Sequence, residues 1–179
     1  MSGSRPDRRL RLAALALGVL LAAPPPARGY EALPPRVQAS LFKRIFAYDP
    51  VLRAKPRLSV LVLHGRLTAA HAGELVEAFE AEGLAVAQCE IGKAPAALDD
   101  ATVLYVLPDV PVNLVAELAR SRRLLTVSGD AEAAERGHVS VALRRTAGGQ
   151  PEIVVHLPRL ASEGHELSAR LLKLATVVP

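Results

Sequence analysis

The spacing of apolar positions changes several times along this chain, and each change predicts an element. Val37, Leu41 and Ile45 recur every four residues with Phe42 and Phe46 beside them, the pattern of an amphipathic helix. Leu58 to Leu63 is an unbroken apolar run, as in a strand buried on both faces of a parallel sheet. Thr68 to Glu82 returns to helical spacing, with Leu75, Val76 and Phe79 inward, Glu74, Glu77 and Glu80 outward, and Gly83 as the stop. Leu84 to Ile91 and Thr102 to Leu107 read as second and third strands, Val112 to Arg120 as a helix, and Leu124 to Val127 as a fourth strand. Asp130 caps a short helix from Ala131 to Arg136 that Gly137 ends.

From His138 the period drops to two. Val139, Val141 and Leu143 fall on one face of a strand, Gly148-Gly149 turns the chain, and Ile153, Val155 and Leu157 line the returning strand. His138 and His156 are then placed to face each other across the hairpin. A turn of helix follows Pro158, and Ser168 caps a last helix over Ala169 to Ala175. Strands alternating with helices predict a single-domain α/β layered sheet, mostly parallel, flanked by helices, with a C-terminal antiparallel hairpin.

The first 29 residues carry a different signal. Arg5, Arg8, Arg9 and Arg11 precede the apolar run Leu12 to Ala23, and Ala27-Arg28-Gly29 puts small residues before Tyr30. This is the pattern of a cleaved secretory signal, too short to span a bilayer before Pro24-Pro25-Pro26 interrupts it. The expected division is a signal peptide over 1–29 and an α/β domain over 30–179, released into the periplasm. The leader holds five of the 22 basic residues and one of the 18 acids, leaving 17 of each in the mature part. Its net charge is therefore zero. With no Trp and three Phe, it offers no basic, aromatic-lined face for nucleic acid. Cys89 is the sole cysteine, so no intrachain disulfide is possible, and on an apolar strand it reads as a small buried hydrophobe.

Enzymatic readings of such a sheet each lack a part. Val62-Leu63-His64-Gly65 is placed like an oxyanion turn, but there is no G-x-S-x-G nucleophile elbow, and Ser128 reads as a strand end before the cap Asp130. Asp109 lies near a strand end, as a phosphoacceptor would, yet the acidic pair needed after the first strand is replaced by His64-Gly65. Gly65-Arg66-Leu67 is too poor in glycine for a phosphate loop. His64, His71, His138, His156 and His165 do not form the compact ligand set zinc requires. The expectation is a protein that is not an enzyme and needs no cofactor or metal.

The run Leu125-Thr126-Val127-Ser128-Gly129-Asp130, the short acidic helix, the Gly turn, the hairpin and then Leu167-Ser168-Ala169-Arg170-Leu171-Leu172-Lys173-Leu174-Ala175-Thr176-Val177-Val178 resemble the C-terminal signature of the YfiR family. The opening helix ending Ile45-Phe46-Ala47-Tyr48-Asp49-Pro50 resembles that family's first helix. The likeness runs from Val37 to Val178. It departs at Ala134, where the family has a large apolar residue, at His138, where it has Gly, and at His156, where it has Asn.

The resemblance implies a periplasmic regulator that restrains an inner-membrane signalling protein, such as a diguanylate cyclase or a histidine kinase, by binding its periplasmic sensor domain. A homodimer is compatible with that role. The partner surface is expected on the hairpin and the segment after it, at His156, Leu157, Leu160 and Leu167. The competing expectation is a periplasmic solute-binding component with a small-molecule pocket at the strand C-termini.

Overall fold

The computed structural model describes residues 32–179. The expected leader, Met1 to Gly29, and its cleavage point lie outside them. Helices α1 (Pro35–Phe46) and α2 (Pro50–Arg53) lead into β1 (Ser59–His64), α3 (Ala69–Ala81) and β2 (Ala85–Glu90). A short 3-10 turn (Ile91–Lys93) and α4 (Ala94–Ala97) precede β3 (Val103–Val106), α5 (Val112–Arg122), β4 (Leu125–Ser128) and α6 (Ala131–Glu135). The chain ends with β5 (Val141–Arg145), β6 (Pro151–His156), α7 (Leu157–Ser162), α8 (Ala169–Leu172) and β7 (Thr176–Val178).

The strands form one sheet in the order β2-β1-β3-β4-β5-β6-β7. The first five are parallel, β6 runs antiparallel to β5, and β7 runs parallel to β6. The predicted α/β class, the parallel majority and the C-terminal hairpin are all present. The inner residues of central β1, β3 and β4 are buried without exception because both faces are covered, so β1 and β3 are largely apolar and the polar Thr126 and Ser128 of β4 are hydrogen-bonded.

Tyr105 on β3 shows how α1 is fixed to the sheet. Its ring packs edge-on against Phe42 of α1 and Phe79 of α3, with centroids 5.8 and 5.9 Å away. Its hydroxyl donates to Gln38 Oε1 at 2.5 Å, and Gln38 Nε2 donates to the Leu33 carbonyl at 2.6 Å. Burial pushes the phenol well above its ordinary value, so it remains a donor. A Cβ at Gly129 would stand 2.6 Å from that hydroxyl, which is why this position has no side chain.

This contact also rotates α1 from its expected face. The buried stripe is Gln38, Phe42, Ile45 and Phe46, while Val37 is exposed and Leu41 half-buried. A buried glutamine is tolerated because both ends of its amide are hydrogen-bonded.

Three other expectations are corrected. β2 is an edge strand, so Ala87 and Gln88 are exposed and Cys89 is half-buried rather than enclosed. Ser140 and Ala142 are as buried as Val139, Val141 and Leu143, because the hairpin base is covered on both faces rather than one. The last helix stops at Leu172, and Thr176–Val178 leaves it to pair with β6. Ser168 caps this short α8 as expected, its hydroxyl accepting from Leu171 N.

The segment from α7 to α8 is held by buried polar groups. Glu163 is fully buried and accepts from Thr126 N (3.0 Å), Thr126 Oγ1 (2.6 Å), Ser140 Oγ (2.5 Å) and Arg159 Nε (2.6 Å). His165 places Nδ1 2.6 Å from Asp49 Oδ2 and Nε2 3.1 Å from the Arg123 carbonyl. Asp49 also caps α2 by accepting from Val51 N and Leu52 N. Two carboxylates thus tie this segment to β4, to Ser140 just before β5 and to the α1–α2 corner, and both are surrounded by donors as buried charge requires.

Candidate functional site

In an open parallel sheet, ligands bind beyond the C-terminal ends of the strands, where neighbouring crossovers leave in opposite directions. Here that point lies between β1, which leads toward β2, and β3, which leads toward β4. The chain closes it with its own side chain. Asp109 Oδ1 accepts from Gly65 N at 3.0 Å and from Thr68 Oγ1 at 2.5 Å, and Oδ2 accepts from Leu67 N at 3.0 Å. A Cβ on Gly65 would lie 2.6 Å from the Asp109 carboxyl carbon, so glycine is required for this close approach. Partial burial alone would raise the Asp109 carboxyl. The hydrogen bonds from the Thr68 hydroxyl and the Gly65, Leu67 and Thr68 amides outweigh it and hold the group below its ordinary 3.8. Asp109, weighed above as a phosphoacceptor, is instead a latch between two loops.

One strand further along, a cavity of about 220 Å³ opens at the ends of β3 and β4 between α5 and α6. Side chains alternate along β3, so Val106 points away from the Tyr105 face and into this cavity. Val110, Val112, Val115, Ala133 and Val139 add to the apolar wall, and Ser128, Asp130, Glu132, Arg136 and His138 supply the polar groups.

The sequence explains each placement. Asp130 caps α6, its Oδ1 accepting from Glu132 N at 3.0 Å, and its own N–H donates to Ser128 Oγ. Ser128 Oγ in turn donates to the Val106 carbonyl at 2.9 Å. This hydroxyl is thus a structural cross-link between β3 and β4. Arg136, just past the end of α6, is ion-paired with Glu132 one turn back. Gly137 then turns the chain so that His138 and Val139 reach the cavity.

A larger groove, about 800 Å³, lies at the opposite ends of the strands beside edge strand β2, between Lys55, Arg57, Asp99 and Asp100. It is the roomier of the two. The smaller cavity is the better site, because it combines an apolar wall with convergent polar groups at the strand C-termini.

The expected partner residues separate. Leu160 and Leu167 are 3% and 2% exposed and belong to the core, so neither forms a free surface. The reason is the buried network around Glu163 and His165, which draws the whole segment against the sheet. His156 is half-buried and caps α7, its Nδ1 accepting from Arg159 N at 3.1 Å. Leu157 leaves the strand as the first residue of α7 and is 37% exposed. The hairpin register sets His156 beside Ser140, whose carbonyl accepts from His156 N, while His138 turns to the cavity. The expected facing of His138 and His156 is therefore not formed by the strand pairing. The exposed apolar residues near the chain's end are Leu157, Leu174 and Val177. Among the described residues no group of three or more His, Cys, Asp or Glu is placed to hold a metal, and no helix is long and apolar enough to cross a membrane.

Sequence reasoning singled out Ser128, Asp130 and His138 for other roles and missed their convergence with Val106 and Val115. The signal was the position of Val106 and Ser128 at the ends of neighbouring strands, which needs the strand order to interpret.

No protein-family description matches this sequence, and no curated protein matches it. Solved structures do share the fold. An ABC domain from Streptococcus pneumoniae in complex with L-Trp superposes with a TM-score of 0.61 at 12% identity, over 81% of this chain and 60% of that one. A conserved domain protein from Vibrio cholerae gives 0.59 at 14% identity, over 82% of this chain and 60% of the other. The chain thus spans about 60% of the length of these neighbours, and the likeness is one of fold.

Proposed function

We propose that this chain is an exported, non-catalytic binding protein whose specific site is the cavity between α5 and α6. The observation that carries this reading is the cavity's make-up: an apolar wall with both signs of charge at its rim, at the C-terminal ends of β3 and β4, one strand from the switch point. A fold neighbour holding L-Trp supports a small organic ligand. A volume of about 220 Å³ suits a compact one. Export rests on the basic and apolar leader before Tyr30.

Filling the cavity tests the site. Ala133 stands on its wall, half-buried on α6, so Ala133→Phe should occupy the space while leaving the sheet intact. Small molecules that raise the melting temperature of the native protein should lose that effect in the variant. Stabilisation that survives Ala133→Phe would place the ligand elsewhere.

A second reading keeps the resemblance to YfiR proteins, with the chain restraining a diguanylate cyclase or histidine kinase through its periplasmic domain. It is favoured by the exposed Leu157, Leu174 and Val177 beside the short edge strand β7. On this reading the contact surface excludes the buried Leu160 and Leu167. Leu174→Glu should abolish capture of the sensor domain without altering the melting temperature.

A further inference from the structure

We infer that the α5–α6 cavity is built for a small aliphatic α-amino acid in its zwitterionic form, an inference that rests on the proposed ligand site. The groups of opposite sign come from the two residues that flank one short helix. Asp130 is the residue before α6 and Arg136 the residue after it, six positions apart. Asp130 and Arg136 line the cavity together, so the ammonium and carboxylate of one small ligand each meet an opposite charge at its rim.

Each end has capacity to spare. The Asp130 carboxylate uses Oδ1 to cap α6, leaving Oδ2 for an ammonium group. The Arg136 guanidinium has five donors and gives one nitrogen to Glu132, so further donors remain for a carboxylate. That pairing also neutralises Glu132, which would otherwise repel the carboxylate. His138 lines the same cavity. The wall facing these groups is aliphatic, and among the described residues no Phe, Tyr or Trp lines the cavity. A branched aliphatic side chain matches it better than a ring that needs a stacking surface.

The test is calorimetric titration of the purified protein with L-valine and L-leucine, alongside isobutylamine and isovalerate, which each carry one of the two charges. Both amino acids should bind, and each singly charged analogue should bind at least about tenfold more weakly, since a charged hydrogen bond is lost. Asp130→Asn keeps the cap, because asparagine is an equally good cap residue, and removes the charge. It should weaken L-valine by about tenfold or more, as should Arg136→Gln, with melting temperatures unchanged. Ala133→Phe should abolish binding.

If isobutylamine or isovalerate binds as tightly as the amino acids, or Asp130→Asn and Arg136→Gln bind normally, the zwitterion assignment falls. Should neither amino acid bind while other small molecules do so in an Ala133-dependent way, that assignment falls and the cavity remains the site. If no small molecule of any charge binds in an Ala133-dependent way, the site reading falls as well.

Discussion

Leu160 and Asp109 carry the sharpest residue-scale expectations. Leu160 lies on α7 and is enclosed, so Leu160→Asp would bury a carboxylate with no partner at that point. The loss should be on the order of 3 kcal/mol or more, visible as a large fall in the denaturant midpoint. A midpoint within about 1 kcal/mol of the native protein would mean Leu160 is a surface residue. Asp109 has a folded carboxyl value held below 3.8, so the unfolded chain binds its proton first as pH falls. Its contribution is fully present above that unfolded value and is lost as pH drops through it toward the lower folded value. Asp109→Asn should therefore be less stable than the native protein near neutrality, with the gap narrowing below about pH 4. A gap that stayed constant from pH 7 to pH 3 would contradict the latch.

At the scale of elements, what was legible followed from local pattern. The apolar runs at Leu58 to Leu63 and Leu124 to Val127 located β1 and β4, Asp130 located α6, and Gly148-Gly149 located the hairpin. Strand order was not legible, because it depends on which crossovers face which way. That is why β2 was expected to be enclosed and Cys89 buried. The buried side chains of Glu163, His165 and Gln38 were also hidden, since a polar residue announces its partners only once distant segments meet. The cavity was hidden for the same reason. Two outcomes follow for the edges. Cys89→Ser should cost no more than about 1 kcal/mol, and reducing agents should leave the melting temperature unchanged. In hydrogen exchange, amides of β1, β3 and β4 should be protected to near the global stability, while those on the open side of β2 exchange faster. Protection of β2 equal to that of β3 would indicate that its edge is covered, for instance by a second copy of the chain.

The whole molecule is a sheet closed at its switch point by Asp109 and open one strand away, with its C-terminal segment locked down by Glu163 and His165. This division separates two surfaces. The cavity between α5 and α6 faces out from the ends of the parallel strands, while Leu157, Leu174 and Val177 accompany the antiparallel end. The central claim is that binding occurs at the first. Its most direct test is an amide chemical-shift map of the purified protein titrated with a set of small amines, carboxylates and zwitterions. The perturbed amides should centre on Val106, Ser128, Ala133 and Val139, with β7 unaffected. Perturbations centred on Leu157, Leu174 and Val177, or none at the α5–α6 cavity with any compound, would contradict it.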